Sequence, residues 1–470
     1  MQKIFAHPAE LEKLTKEKYA IPPFLMMENA AKALADFILD FSPKHVVILC
    51  GKGNNGGDGY AVARLLQNKC EITIVKIENV TADEAKIQYE ICQRLGIKIT
   101  DRLPSFPVSL ILDCIYGTGF HGELPEKTVK LLAQVNQSKA IKIACDIPSG
   151  LYFQADYTIT MGSQKLSLYS DKAKDVCGKI IVKDIGLARS EFESPVETQI
   201  YLIEESDIIL PLRKKRAAHK GTYGHTTVFC GDKAGAAILT ATAAMNFGSG
   251  LTTLLSKYSS DLSQFKISPA LMISDEIPKK TTAISAGSGF TKYSVSAAQE
   301  IKNWFQTQKN PAAVFDAGIV TAQEFPALLK ELNIIEDSRI ILTPHLAEFS
   351  TLMKNLGEEV SISSLIENPQ IKIELGKKLN SLFSHTTIII KSANTFIASN
   401  DETYIVSDGP QSLAKGGSGD ILAGLCVSLL AQGYSAKDAA ITAAEYHALL
   451  ARQIGEQAYN LSPERLLDLI

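Results

Sequence analysis

Two stretches of this sequence gather the residue types that hold anionic ligands and move protons on them. The first is "GKGNNGGDG" at residues 51–59, preceded by the apolar run "VVILC" and followed by the helix-like "YAVARLL". A strand that hands such a loop to a helix presents free amides and the positive end of the helix dipole at the C-terminal edge of a parallel sheet, where phosphorylated ligands bind. A glycine-rich turn alone serves equally well as plain structure, and the spacing departs from the usual dinucleotide fingerprint. Further strand ends shift the balance. "ILDCIYGTGFHGELP" (residues 111–125) places Asp113 at one, followed by Gly117, Gly119 and Gly122, and "ACDIPSGL" (residues 144–151) places Asp146 and Ser149 at the next. Each alone is a turn or a helix cap; together they are what a pocket at converging loops requires.

The second stretch is "LAKGGSGDILAGLCVSLL" at residues 413–430. Gly416, Gly417 and Gly419 precede an almost wholly apolar helix that must be buried, so its N-terminus offers unpaired amides to an anion. Asp420 lies in the first turn. As a cap it is unremarkable; beside a phosphate in transfer it can take a proton from an attacking hydroxyl.

Two α/β domains are expected to position these groups. A chain of 470 residues exceeds one ordinary core. In the first half, apolar strand-like runs at residues 45–50, 71–77, 108–115 and 140–147 alternate with helical spacing at 81–95 and 125–135. That alternation predicts a Rossmann-like, doubly wound parallel sheet, preceded by a long helix from "FLMMENAAKALADFIL" that ends at Ser42-Pro43. The pattern dissolves over residues 201–221, which places the domains at 1–210 and 211–470. A second series begins at "HTTVFC" and closes with three strands near one another, "TTIIIK", "NTFIAS" and "TYIVSDG", an antiparallel edge on another α/β sheet. Helices at 419–430 and 436–454 complete it.

Composition excludes several classes. Apolar residues make up 46% and charged residues 21%, as in a soluble globular enzyme. A net charge of −3 attracts neither nucleic acid nor an acidic membrane, and the run "RKKR" at 213–216 is too short to alter that. No apolar run reaches the length of a membrane span, and acidic residues among the first twenty argue against a signal peptide. The eight cysteines are scattered without a C-x-x-C pair, which speaks against zinc or disulfides and for a cytoplasmic, reducing setting.

The first half resembles the NAD(P)HX epimerase family through "ENAA" (28–31), "GNNGGDG" (53–59), "DCIYGTG" (113–119) and "DIPSG" (146–150), with alanine at 31 where glycine is commoner. That resemblance implies that the hydrated dinucleotide is held by Asn54, Asn55, Gly56, Gly57 and Asp58, by Gly117, Thr118, Gly119, Phe120, His121, Gly122 and Glu123, and by Asp146. It also implies a potassium ion on Asn55, Asp113 and Ser149, one carboxylate with neutral oxygens, which suits a large weakly charged cation. Epimerisation at a hemiaminal carbon by loss and return of water needs proton transfer, and Asp146 is the candidate acid/base.

The Gly-Ser-Gly-Asp arrangement resembles the ribokinase-like fold. Blocks at 219–237, 285–290, 343–349, 391–396 and 415–424 are similar to the NAD(P)HX dehydratase, which uses ADP in bacterial forms and ATP elsewhere. The chain departs from that pattern at Leu346-Ala347, at Ser392 and near Gly289. The resemblance implies that Ala236, Gly289, His345 and Asp420 meet the hydrate, and that Lys391, Ser392, Ala393, Asn394, Thr395 and Gly419 meet ADP or AMP, with magnesium accompanying the nucleotide. His345 is as readily a structural histidine as a ligand contact. Asp420 is the implied catalytic acid/base of this half.

The two resemblances imply a bifunctional repair enzyme for NADHX and NADPHX, acting as a homo-oligomer: it epimerises R and S forms and dehydrates the S form with ADP, releasing AMP and phosphate. A ribokinase-type kinase for a vitamin alcohol, with an N-terminal nucleotide-binding regulatory domain, is the alternative enzyme. A nicotinamide-nucleotide-binding protein without turnover is the alternative outside enzymes.

Overall fold

The computed structural model describes residues 1–470 except 106, 121, 260 and 261. The chain divides into two compact units, Lys3–Thr198 and Gln199–Ile470, with Met1–Gln2 joining the second. The break precedes the expected 210/211 boundary, because "IYL" forms a strand that pairs in parallel with residues 402–406 of the C-terminal unit.

Strands of the N-terminal unit are β1 (Gln2–Phe5), β2 (His45–Cys50), β3 (Glu71–Lys76), β4 (Ile99–Thr100), β5 (Leu110–Cys114), β6 (Ile141–Cys145), β7 (Tyr157–Met161), β8 (Gln164–Lys165) and β9 (Lys179–Lys183). β1 and β8 form a short parallel pair. The other seven make a wholly parallel sheet in the order β4-β3-β2-β5-β6-β7-β9. From β2 the chain winds outward to β3 and then returns to β5 on the other side. Loops after β2 and β5 therefore diverge, and a crevice opens at their C-terminal ends. Val47, Leu49 and Ile111 pack one face; Val46, Ile48 and Leu112 pack the other, against the helix Pro23–Leu39. That helix ends at Leu39 rather than at Pro43, since Ser42 takes a left-handed φ of 48° and closes a tight turn.

The C-terminal unit carries β10 (Ile200–Leu202), β11 (His225–Phe229), β12 (Leu251–Leu255), β13 (Met272–Ser274), β14 (Ala283–Ala286), β15 (Ala312–Phe315), β16 (Arg339–Leu342), β17 (Thr386–Ile390), β18 (Thr395–Ser399) and β19 (Glu402–Val406). Their order is β13-β12-β11-β14-β15-β16-β17-β18-β19-β10, parallel through β17. β17, β18 and β19 then run antiparallel, as the closely spaced strand signals predict. The apolar helix Ser418–Ala431 is buried along nearly its whole length. A Cβ on Gly424 would stand 2.4 Å from the Thr240 carbonyl oxygen, so glycine is what lets this helix press against Ala234–Asn246.

All eight cysteines are free, and only Cys70 is not fully buried. Burial pushes the thiols of Cys92, Cys114 and Cys177 up to about 12. No helix among the described residues is long and apolar enough to cross a membrane.

Candidate functional site

In the N-terminal unit the glycines of residues 51–59 serve two purposes. Gly51 and Gly56 are packing glycines: a Cβ on Gly51 would lie 2.0 Å from the Ile115 carbonyl oxygen, and one on Gly56 2.1 Å from that of Gly51. Gly57 presses on the Met27 side chain. Their absent side chains let the first turn of the helix Asn54–Leu66 sit against the ends of β2 and β5. Asn54, Asn55 and Asp58 of that turn face a cavity of about 460 Å³, which is also walled by Gly117, Thr118, Gly119, Phe120 and Asp146. Gly56, Gly57, Gly122 and Glu123 are not on its wall. The expected contact at His121 lies outside the described residues.

Beneath the cavity Asp113 is wholly buried. Its Oδ2 accepts the Ser149 amide at 2.8 Å; its Oδ1 accepts the Ser149 hydroxyl at 2.7 Å and the Ile115 amide at 3.1 Å. Burial pushes its carboxyl up to about 6 against those bonds. Among the described residues the buried Asn55 Nδ2 has no hydrogen-bond partner, and the Asn55 side chain lies beside Gly117, next to the Tyr116 amide that donates to the Ser149 hydroxyl.

Asp146 follows β6 in a left-handed conformation (φ 69°), a strained choice for a residue with a side chain. Its carboxylate is ion-paired to Lys165, a lysine only 1% exposed. The ammonium also donates to the Thr160 hydroxyl at 2.9 Å and the Met161 carbonyl at 3.3 Å. Sequence reasoning missed Lys165. No strand was expected over residues 157–165, so nothing in the sequence marked this lysine as buried and in need of an anion. It also missed Glu12, another cavity residue, whose carboxyl is raised by burial against the attraction of Lys165. Glu28 of "ENAA" is a structural ion pair: Arg64 Nη2 reaches its Oε1 at 2.7 Å, and Gln88 donates to the same oxygen.

The C-terminal unit assembles an analogous edge. Gly287 (φ 117°) and Gly289 (φ 79°) let the loop after β14 fold against its neighbours: a Cβ on Gly289 would stand 2.3 Å from the Lys233 carbonyl oxygen and 3.5 Å from the Ala236 methyl. That places Ala236 beside Gly289. His345 caps the helix Leu346–Asn355, its Nδ1 accepting the Glu348 amide at 3.2 Å while Glu348 accepts the His345 amide at 2.9 Å. The structural role of His345 is thus established. Lys391 follows β17, and its amide donates to the Pro344 carbonyl at 2.8 Å, tying the loop of residues 391–395 to the histidine segment.

The Lys391 ammonium reaches Asp316 Oδ1 at 3.1 Å and would lie 3.0 Å from a Cβ on Gly419. Burial lowers its affinity for a proton, but Asp316, Glu348 and Asp420 outweigh that and the net shift is upward. Asp420 is pushed up to about 6, by burial first and Asp316 second, against the Ser288 hydroxyl and Lys391. Asp316 was not foreseen. The rule that singled out Asp113, an acid at the C-terminal end of a strand, applies to it as well, since it directly follows β15. Ser392, a departure from the resemblance, accepts from the buried Lys372 at 2.8 Å and donates to the Asn394 carbonyl at 2.5 Å, so its hydroxyl braces the loop.

Residues 24–167 match the family described as YjeF-related protein N-terminus, and residues 226–470 match NAD(P)H-hydrate dehydratase. The bifunctional NAD(P)H-hydrate repair enzyme Nnr of Helicobacter pylori is 34% identical over 100% of this chain and 99% of its own. The chain belongs to the bifunctional NAD(P)H-hydrate repair enzymes. The repair enzyme of Dictyoglomus turgidum is 28% identical over 92% of this chain and 89% of its own. Among solved structures, the ADP/ATP-dependent NAD(P)H-hydrate dehydratase of Bacillus subtilis, co-crystallised with ATP/Mg2+, is 24% identical, with a TM-score of 0.45 over 55% of this chain and 91% of that one. The two family matches fall on separate units of the chain, residues 24–167 within the first and 226–470 within the second.

Proposed function

We propose that the N-terminal unit interconverts the R and S forms of NADHX and NADPHX, and that the C-terminal unit dehydrates the S form at the expense of ADP, releasing AMP and phosphate. What carries this reading is that each family match falls on its own unit, and each unit holds its own acid-and-lysine pair at the C-terminal ends of parallel strands. A stereospecific dehydratase repairs one epimer only, which gives the fusion a chemical reason.

In the dehydratase, the N-terminus of the helix Ser418–Ala431 and the loop of residues 391–395 receive the anionic nucleotide. Asp420 takes the proton of the ring hydroxyl as its oxygen attacks the terminal phosphorus of ADP, and AMP departs with the bonding pair. Phosphate then leaves the ring carbon with the former C–O pair. Loss of the neighbouring carbon's proton re-forms the double bond. Lys391, fixed by Asp316, stands beside Gly419 to balance the phosphate charge. Ala236, Gly289 and His345 would bound the hydrate. Three carboxylates (Asp316, Glu348 and Asp420) act on the one ammonium of Lys391, a surplus of negative charge that fits magnesium arriving on the phosphates.

In the epimerase, Asn55, Asp113 and Ser149 fit potassium. The orphaned Asn55 amide, turned over, offers an oxygen, and Asp113 and Ser149 supply two more. Such an ion would supply a fixed positive charge that keeps Asp113 ionised. Asp146, ion-paired to Lys165, faces the damaged ring as acid/base. A homo-oligomer working in the cytoplasm completes the proposal.

Incubation with hydrated NADH and ADP should return the near-ultraviolet absorbance of the dihydronicotinamide. Failure of that signal, with ATP consumed on a vitamin alcohol instead, would replace this reading by a kinase.

A further inference from the structure

Loss and return of water on opposite faces of a ring requires a proton at the departing oxygen and an acceptor at the entering one. One carboxyl group does not stand on both faces at once. Four carboxyl side chains line the N-terminal cavity, Glu12, Asp58, Glu84 and Asp146, and three of them, Glu12, Asp58 and Asp146, share one interior ammonium, Lys165. That ammonium is committed to Asp146, with Thr160 and the Met161 carbonyl completing its shell. Asp58 approaches from a different element, the helix Asn54–Leu66, and its Oδ2 lies 3.9 Å from the thiol of Cys145, the residue just before Asp146. Two carboxyl groups, carried by two elements, thus border one strand end.

Resting on the epimerase reading above, we propose that Asp58 is the second proton carrier of the exchange and works with Asp146 across the bound ring. Asp58 delivers its proton to the hydroxyl at the hydrated carbon. The C–O bond breaks, its pair leaving with water, and the ring nitrogen's lone pair forms a C=N bond. A water on the other face adds to that carbon, returns the C=N pair to nitrogen and gives its extra proton to Asp146. Atoms and charge balance: one proton enters from Asp58 and one leaves to Asp146. The enzyme is then primed for the reverse direction.

The surroundings of Asp58 suit a donor. Burial, then repulsion by Asp146 and Glu12, raises its carboxyl well above the usual range, against Lys165 and the Cys145 thiol. The buried thiols of Cys50 and Cys114 also lie within electrostatic reach of it. Glu12, beside Lys16 at 3.7 Å and part-exposed, is placed to return protons from solvent.

The test uses the full chain and purified epimers of hydrated NADH in water enriched in heavy oxygen. Asp58→Asn and Asp146→Asn should each lower kcat for exchange by about 100-fold or more, with KM within about threefold. Wild type should take up one solvent oxygen per exchange and show a bell-shaped pH profile. Asp58→Glu should keep partial activity on a displaced profile. Exchange by Asp58→Asn at near wild-type kcat, or exchange that retains the original oxygen, would overturn the inference. The oxygen result holds even if a variant misfolds. Wild type that does not interconvert the epimers at all would instead sink the epimerase reading itself.

Discussion

Glu445 is a carboxyl group that the C-terminal unit must hold at a cost, and replacing it with glutamine should reveal how large. It lies on the helix Ala436–Ile454 with no solvent exposure, and neither carboxyl oxygen has a hydrogen-bond partner. Arg452 is 3.7 Å away, but it also serves Asp408. Burial first, then the charges of Asp408, Glu205 and Asp207, push the carboxyl up from 4.5 to about 7, with Arg452 opposing. The folded state therefore binds the proton more tightly than the unfolded chain. Stability is fullest below about 4.5, falls as pH climbs, and levels off above about 7. A shift of this size corresponds to about 3 kcal/mol in all. Glutamine mimics the protonated form at every pH. The stability gap between Glu445→Gln and wild type should widen in the variant's favour by about 2–3 kcal/mol from pH 5 to pH 8. Urea unfolding followed by fluorescence of Trp304 checks this, because the chain's one tryptophan lies in the C-terminal unit. Any unpaired amide in the variant shifts all pH values alike, so the slope is the readout. A gap that stays constant, or narrows as pH rises, would refute the reasoning.

Asp420→Asn should abolish return of the dihydronicotinamide absorbance, about 100-fold or more, while epimer exchange followed by chromatography continues. In wild type, dehydration kcat/KM should rise about tenfold per pH unit below about 6 and then flatten, because Asp420 must be ionised to accept a proton; a rate that falls over that range would contradict its role as base. Gly289→Ala should cost roughly 1–3 kcal/mol and most of the dehydratase rate, since φ is 79° and the new methyl meets the Lys233 carbonyl; thermal unfolding and the absorbance assay measure the two effects.

Much of the fold was legible because burial and periodicity agreed. "HVVILC" and "TTIIIK" form strands, and the apolar run after Gly417 forms the buried helix Ser418–Ala431. Strands that hide polar side chains were harder to see. "YTITM" buries Thr158 and Thr160, which looks unfavourable until their partners are known: Thr158 donates to the Cys177 carbonyl at 2.6 Å, and Thr160 meets Lys165. Met272–Ser274 is a short edge strand, too exposed to leave an apolar signature. In the sites, the strand-end rule located Asp113 and Asp146, and the glycine-led start of a buried helix located Asp420. Lys165 and Asp58's link to Asp146 depend on side chains meeting from separate segments. Spacing along the chain does not encode that.

The smothered thiols have a practical corollary. A sulfhydryl with a pKa of about 12 is ionised in only about one molecule in 100,000 at pH 7, and the ionised form is the one that alkylating agents and peroxides attack. Cys70 alone offers such reagents a partly accessible target. On the roles proposed for the carboxyl groups and lysines of both units, turnover is uncoupled from the thiol redox state of its surroundings, and the purified protein should keep its activity in air without added reductant.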